Sequence, residues 1–204
     1  MATGHAACGP ASGRDLEPMD KSELRRTLRA ARARFVADEA VAAQLLVDTL
    51  QLAEHAAPHL AGARIVAGYV SDGEEVDPLP LLFRALDQGC IMVLPRITGR
   101  TAPMVFHRWF PGDDLVPGPL GLLQPRADAE ILDPDLILAP LVGYDAACNR
   151  LGQGAGFYDR AFAARPDARR IGLAWTVQAV DALPVDPWDV PLHGIATERG
   201  WIAA

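Results

Sequence analysis

Four short apolar runs recur along the chain: RIVAGYV (64–70), CIMVLP (90–95), DLILAPLV (135–142) and RIGLAW (170–175). Each is bounded by turn residues and reads as a buried strand. Helix-patterned segments lie between them. Asp20 and Glu23 have capping-box spacing, which predicts a helix from there to about Phe35. A second helix is predicted from about Asp38 toward His55, ending before Pro58. A third opens with Asp77 as N-cap and Pro78 in the first helical position, and stops near Gly89. FYDRAFAAR starts another helix, and a last one follows RIGLAW and ends before Pro184. PMVFHRW (103–109) reads as a strand of mixed polarity and GIATERGWI (194–202) as one or two short closing strands. FPGDDLVPGPLG (110–121) reads as a loop, broken by its prolines and glycines. Strands alternating with helices imply a three-layer α/β/α fold around a mixed, mainly parallel sheet. No repeat or linker divides the chain, so residues 20–204 are expected to form one domain. Residues 1–19 read as a poorly ordered leader.

Composition removes several function classes. The net charge of −7 argues against a dedicated nucleic-acid binder but leaves room for a local basic pocket. Cys8, Cys90 and Cys148 lie far apart without a C-x-x-C pair, so neither a disulfide framework nor a cysteine zinc site is expected, and a reducing cytoplasm fits. No window approaches the roughly 18 uninterrupted apolar residues of a membrane span. The single lysine, Lys21, is far from the glycines, which excludes a Walker A loop. None of the serines sits in G-x-S-x-G, and the histidines do not form H-E-x-x-H.

In open α/β sheets, ligands bind beyond the carboxyl ends of the strands. The strand at 64–70 runs into SDGEEVD (71–77), and the strand at 135–142 runs into GYDAACNRLGQGAG (143–156). In a parallel sheet these two loops share one edge, which makes a composite site of an acidic loop and a glycine-rich one. On pattern alone, two readings of NRLGQGAGFYDR stay open. Its backbone N–H groups, at a helix start, can cradle a phosphate, with Arg150 on a phosphate oxygen and Asp159 on Mg²⁺. Alternatively, the glycines only permit a tight turn. Lys21, Arg25 and Arg29 are spaced to share one helix face, either a solvated basic stripe or a phosphate contact. Asp77 is a helix cap. Glu75 is either solvent-exposed or an acceptor for N–H donors of a heterocycle. Asp189 reads as a turn cap between prolines, and His107 and His193 as satisfied or exposed histidines.

The ordered motifs resemble one family, the 5-formyltetrahydrofolate cyclo-ligases (methenyltetrahydrofolate synthetases), from about Lys21 to Thr197. NRLGQGAGFYDR is similar to that family's R-L-G-x-G-x-G-[YF]-Y-D signature. K-x-x-L-R (21–25), E-V-D (75–77), L-P-R (94–96), M-x-F (104–106) and Q-P (124–125) occur in the family's order. D-L-I-L-A-P (135–140), Gln178, L-P-V (183–185) and D-V-P (189–191) complete the set. The resemblance implies a fold similar to the NagB/RpiA/CoA-transferase-like architecture. It also implies ATP- and Mg²⁺-dependent ring closure of 5-formyltetrahydrofolate, with or without a polyglutamate tail, to 5,10-methenyltetrahydrofolate. By matching position, ATP would meet Lys21, Arg25 and the stretch Arg150, Leu151, Gly152, Gln153, Gly154, Ala155, Gly156, Phe157 and Tyr158. Arg150, Tyr158 and Lys21 would be catalytic, and Asp159 and Asp189 would serve the Mg²⁺. Val70, Glu75, Gln153, Gly154, Ala155, Gly156 and Phe157 would contact the folate. A cytoplasmic monomer or weak homodimer is expected, without membrane or nucleic-acid partners.

Four residues depart from the family pattern. Cys148 stands where glycine is usual, Ala155 where glycine or a basic residue is common, uncharged Gln153 where some members are basic, and Phe157 where tyrosine is frequent. Ala155 and Cys148 motivate a second hypothesis, a non-catalytic folate- or nucleotide-binding paralogue. A third is a different phosphate-ester enzyme on a similar scaffold, such as a sugar-phosphate isomerase.

Overall fold

The computed structural model describes residues 20–204, so the leader reading for residues 1–19 lies outside the described residues. The helices are α1 (Lys21–Ala37), α2 (Glu39–Ala42), α3 (Leu45–Ala56), α4 (Leu79–Asp87) and α5 (Phe157–Ala163). The first strands are β1 (Ile65–Ala67), β2 (Ile91–Arg96), β3 (Val105–Arg108), β4 (Leu115–Pro117), β5 (Leu123–Pro125) and β6 (Leu136–Pro140). They are followed by β7 (Gly143–Tyr144), β8 (Arg150–Leu151), β9 (Arg169–Leu173), β10 (Gly194–Thr197) and β11 (Gly200–Ala203).

The four apolar runs become β1, β2, β6 and β9, and they lie side by side. The seven-stranded sheet has the order β11-β10-β9-β6-β1-β2-β3. Its five inner strands are parallel, and β3 and β11 close the edges antiparallel. The runs are apolar throughout because both faces are covered. On β6, Leu136 and Leu138 pack with Leu52 of α3 and Leu81 and Leu82 of α4. The alternate residues Ile137 and Ala139 pack with Ala161 and Phe162 of α5. Burying each large apolar side chain contributes about 1.5–3 kcal/mol, so this two-sided strand anchors both layers.

Several local expectations change. Asp20 occupies the N-cap position of α1 but makes no side-chain cap bond, and Glu23 pairs with Arg26 one turn on. The helix predicted over 38–55 divides into α2 and α3. Asp38 caps α2 by accepting from the N–H groups of Ala40 (2.9 Å) and Val41 (3.4 Å). α4 starts one residue late: Pro78 is its N-cap, and Asp77 accepts from the Leu79 N–H at 3.0 Å. Segment 110–121 contains β4, which pairs antiparallel with β5. Pro117 and Pro125 end the strands of this two-stranded ribbon, where a missing N–H is tolerated. No α-helix follows β9, only a 3₁₀ turn at Thr176–Gln178. Buried Gln178 stops it there: its side chain accepts from the Trp175 N–H (2.8 Å) and donates to the Leu141 carbonyl (2.5 Å).

Candidate active site

β1 and β6 are direct parallel neighbours, with Val66 opposite Leu136. Their carboxyl-end loops therefore share one edge, as the topology rule requires. They border a cleft of about 860 Å³, near the upper end for small-molecule sites. Helix α1 forms part of its wall because Leu24 and Leu28 pack on Val142, Leu151 and Leu183. This seating directs the basic stripe onto the glycine loop. Arg25 Nε donates to the Gly152 carbonyl at 2.8 Å, and Arg29 Nη2 donates to Gln153 Oε1 at 2.6 Å. Lys21 Nζ donates to Asp186 Oδ2 (2.6 Å) and Asp189 Oδ2 (2.5 Å). Burial pulls the Lys21 pKa down, but the two aspartates outweigh it and leave it raised. Burial pushes Asp189 up, but the Asp186 N–H, Lys21 and more distant Arg150 bring it below the ordinary value.

The glycine loop does not follow β6 directly. A hairpin, β7–β8, intervenes. Its turn closes on buried Asp145, which accepts from the N–H groups of Ala147, Asn149 and Leu183, each at 3.0 Å. Cys148 completes the turn at φ 58°, the sole described non-glycine residue with positive φ. Strand β8 then delivers Arg150, whose Nη2 donates to Asp159 Oδ1 at 2.8 Å. Its guanidinium lies 5.5 Å from the centre of the Tyr158 ring and 5.6 Å from that of Phe162. A side chain at Gly152 would come within 2.6 Å of Arg150 Nη1. Gly154 (φ 101°) and Gly156 (φ 66°) take left-handed conformations, and Gly156 starts α5. The tight-turn reading thus accounts for the glycine backbones, and the loop also forms the cleft floor. Ala155 needs no positive φ, so its methyl sits on an ordinary backbone.

The acidic loop is organised by its own side chains. Asp72 Oδ1 accepts from the N–H groups of Glu74 (3.0 Å) and Glu75 (2.8 Å). Gln153 Nε2 donates to Glu75 Oε1 at 3.1 Å, which joins the two loops. Burial, then the charge of Asp72, raises the Glu75 pKa against the opposing pull of Gln153 and Arg32. Burial and the Glu75 charge also push the Tyr158 phenol far up, so it remains protonated at neutral pH.

Residues 18–198 match the model of the 5-formyltetrahydrofolate cyclo-ligase family. The chain belongs to this family. The 5-formyltetrahydrofolate cyclo-ligase of Escherichia coli K12 is 32% identical over 147 residues, covering 69% of this chain and 81% of that protein. The one from Mycolicibacterium smegmatis is 33% identical over 150 residues, covering 69% and 77%. A solved 5,10-methenyltetrahydrofolate synthetase from Aquifex aeolicus superposes with TM-score 0.67 at 28% identity, over 90% of this chain and 92% of that one.

Every residue carried over from the cyclo-ligase motifs, from Lys21 through Val70, Glu75 and Arg150–Asp159 to Asp189, lines the one cleft. The structure adds Asp186, Tyr69, Trp188 and Arg160 to its lining, and Arg32 behind it. Arg32 lies three residues beyond Arg29, a helical spacing that could have marked it. Asp186 precedes Asp189 by one turn, with no sequence signal to separate them. His107 and His193 are bonded outside the cleft, His107 to the Ala129 carbonyl (2.8 Å) and His193 from the Arg170 N–H (3.0 Å).

Among the described residues, no group of three or more His, Cys, Asp or Glu side chains is placed to hold a metal ion. Asp159 and Asp189 therefore do not form part of a closed protein cage. Each meets its cation through one oxygen, Asp159 Oδ1 with Arg150 and Asp189 Oδ2 with Lys21, a donor chemistry compatible with Mg²⁺, which takes one or two carboxylates and fills its shell with water and substrate phosphates. No described helix is long and apolar enough to cross a membrane.

Proposed function

We propose that this chain converts 5-formyltetrahydrofolate to 5,10-methenyltetrahydrofolate and consumes ATP in doing so. Within the family assignment, the supporting observation is the bond from Gln153 to Glu75. It joins an acidic acceptor loop suited to a heterocycle to a cation-lined glycine loop suited to phosphates. The formyl oxygen attacks the γ-phosphorus of ATP and ADP leaves. The N5 lone pair assists, giving an iminium phosphate. N10 then attacks the activated carbon, the C–O bond breaks, and phosphate departs as N10 loses its proton. Lys21, Arg25 and Arg150 hold phosphate oxygens, and Tyr158 donates as a neutral phenol. Such fixed donors supply most of the catalysis in phosphoryl transfer. Asp159 and Asp189 would hold the Mg²⁺, which would neutralise phosphate charge. Glu75, with Val70 and the Gln153–Phe157 backbone, orients the folate. The protein acts in the cytoplasm.

The test is direct. Protein, ATP, Mg²⁺ and 5-formyltetrahydrofolate together are expected to develop the long-wavelength absorbance of the methenyl product, and omission of ATP to abolish it. Tight folate binding by calorimetry without ATP consumption at any Mg²⁺ level would instead establish the non-catalytic paralogue.

A further inference from the structure

Three cations of α1, Lys21, Arg25 and Arg29, reach the glycine loop and its surroundings. Another cation of α1, Arg32, turns to the acidic loop. Its side chain is only 3% exposed and does not line the cleft. Nη2 lies 3.1 Å from Asp72 Oδ2 and 3.3 Å from Glu74 Oε2, and Nη1 lies 3.8 Å from Glu75 Oε1. Nε and Nη1 are buried without any hydrogen-bond partner. Leaving buried donors unsatisfied is costly, so packing alone does not favour a guanidinium here.

Arg32 reaches Glu75 by two routes. Through space, it is the cation nearest the Glu75 carboxylate. Through bonds, it holds Asp72 Oδ2 while Asp72 Oδ1 fixes the Glu75 N–H. The other groups acting on Glu75 are Asp72, whose charge repels it, and Gln153, which donates to it; Glu75 in turn pushes up the phenols of Tyr69 and Tyr158. We infer that Arg32 is a positioning residue of the folate subsite: it acts through Glu75, holding that carboxylate in place and aimed into the cleft. This rests on the functional reading above.

The test is a double-mutant cycle on the full chain, with Arg32→Met, Glu75→Gln, the pair, and Arg32→Lys as the conservative variant. Arg32→Met is expected to raise KM for 5-formyltetrahydrofolate about tenfold, the scale of one coupled contact, with KM for ATP within about twofold. The acid limb of kcat/KM for the folate should move to higher pH, since removal of the cation raises the pKa of a base active when ionised. Arg32→Lys should recover part of both effects, and the double variant should lose no more than Glu75→Gln. Additive losses, or an equal rise in KM for ATP, would overturn the inference. If Arg32→Met does not fold, the same cycle with Arg32→Lys decides, since its small loss must vanish in the Glu75→Gln background. A wild-type protein that forms no methenyl product would sink the functional reading instead. Calorimetric folate binding to the same variants would still measure the coupling.

Discussion

Arg150 and Lys21 both meet carboxylates in the same cleft, yet the two ion pairs are built differently. The Arg150 side chain is 4% exposed, packed beside the Tyr158 and Phe162 rings and bonded to Asp159 from a short strand. Lys21 stands in the first turn of α1 and shares its ammonium between Asp186 and Asp189, with all three partly solvated. The first pair is fixed by its packing, and under the proposed function Arg150 and Asp159 act from that fixed position. The second is screened by solvent, so exchanging its partners for phosphate oxygens would cost little.

This contrast predicts separable mutant phenotypes. Asp159→Ala should show the largest effect: turnover lost, and stability reduced by about 3–5 kcal/mol, as for a buried cation left without its carboxylate. Denaturant unfolding checks the second part, and a loss below about 1 kcal/mol would place the pair in the same class as that of Lys21. Lys21→Met comes next. Its kcat/KM for ATP should fall about a hundredfold, the scale of one lost transition-state contact, while stability changes by less than about 1 kcal/mol. That stability difference has a defined pH sign. The raised Lys21 pKa keeps the lysine's contribution intact through neutral pH, and the lowered Asp189 pKa removes the aspartate's as acid protonates it. The gap between wild type and Lys21→Met should therefore hold at neutral pH and close in acid. A gap that widens in acid would contradict the pairing.

The smallest effects belong to two of the four departures from the family pattern, Ala155 and Cys148. Ala155→Gly should leave KM for ATP within about twofold, since Ala155 has no left-handed backbone to relieve. Cys148→Gly removes roughly 1–2 kcal/mol of left-handed strain but also a buried side chain, so the net stability change should stay within about 1 kcal/mol. A larger change at either position in thermal unfolding would show that the loop depends on these side chains.

The readable parts of the sequence were those where one physical signal dominates. Strands covered on both faces are apolar throughout, so β1, β2, β6 and β9 stood out, and adjacency of β1 and β6 brought Glu75 and the glycine loop together. Features with competing signals were missed. Pro117 of β4 read as a breaker, although it sits at the end of a ribbon strand. Gln178 looked like a helix residue until its buried bonds to Trp175 and Leu141 were seen to end the turn. The pairing of Arg150 with Asp159 joins two residues expected to take separate roles, and only the geometry of β8 and α5 reveals it. Arg32 escaped because burial of a guanidinium depends on the loop that folds over it.

The most direct measurement follows ADP and methenyltetrahydrofolate together in one reaction. Equimolar formation of the two is expected, with both arrested when either ATP or Mg²⁺ is withheld. Methenyl product formed at an unchanged rate without ATP, or ADP released without 5-formyltetrahydrofolate, would contradict a cleft in which the phosphate loop and the Glu75 loop work on one reaction.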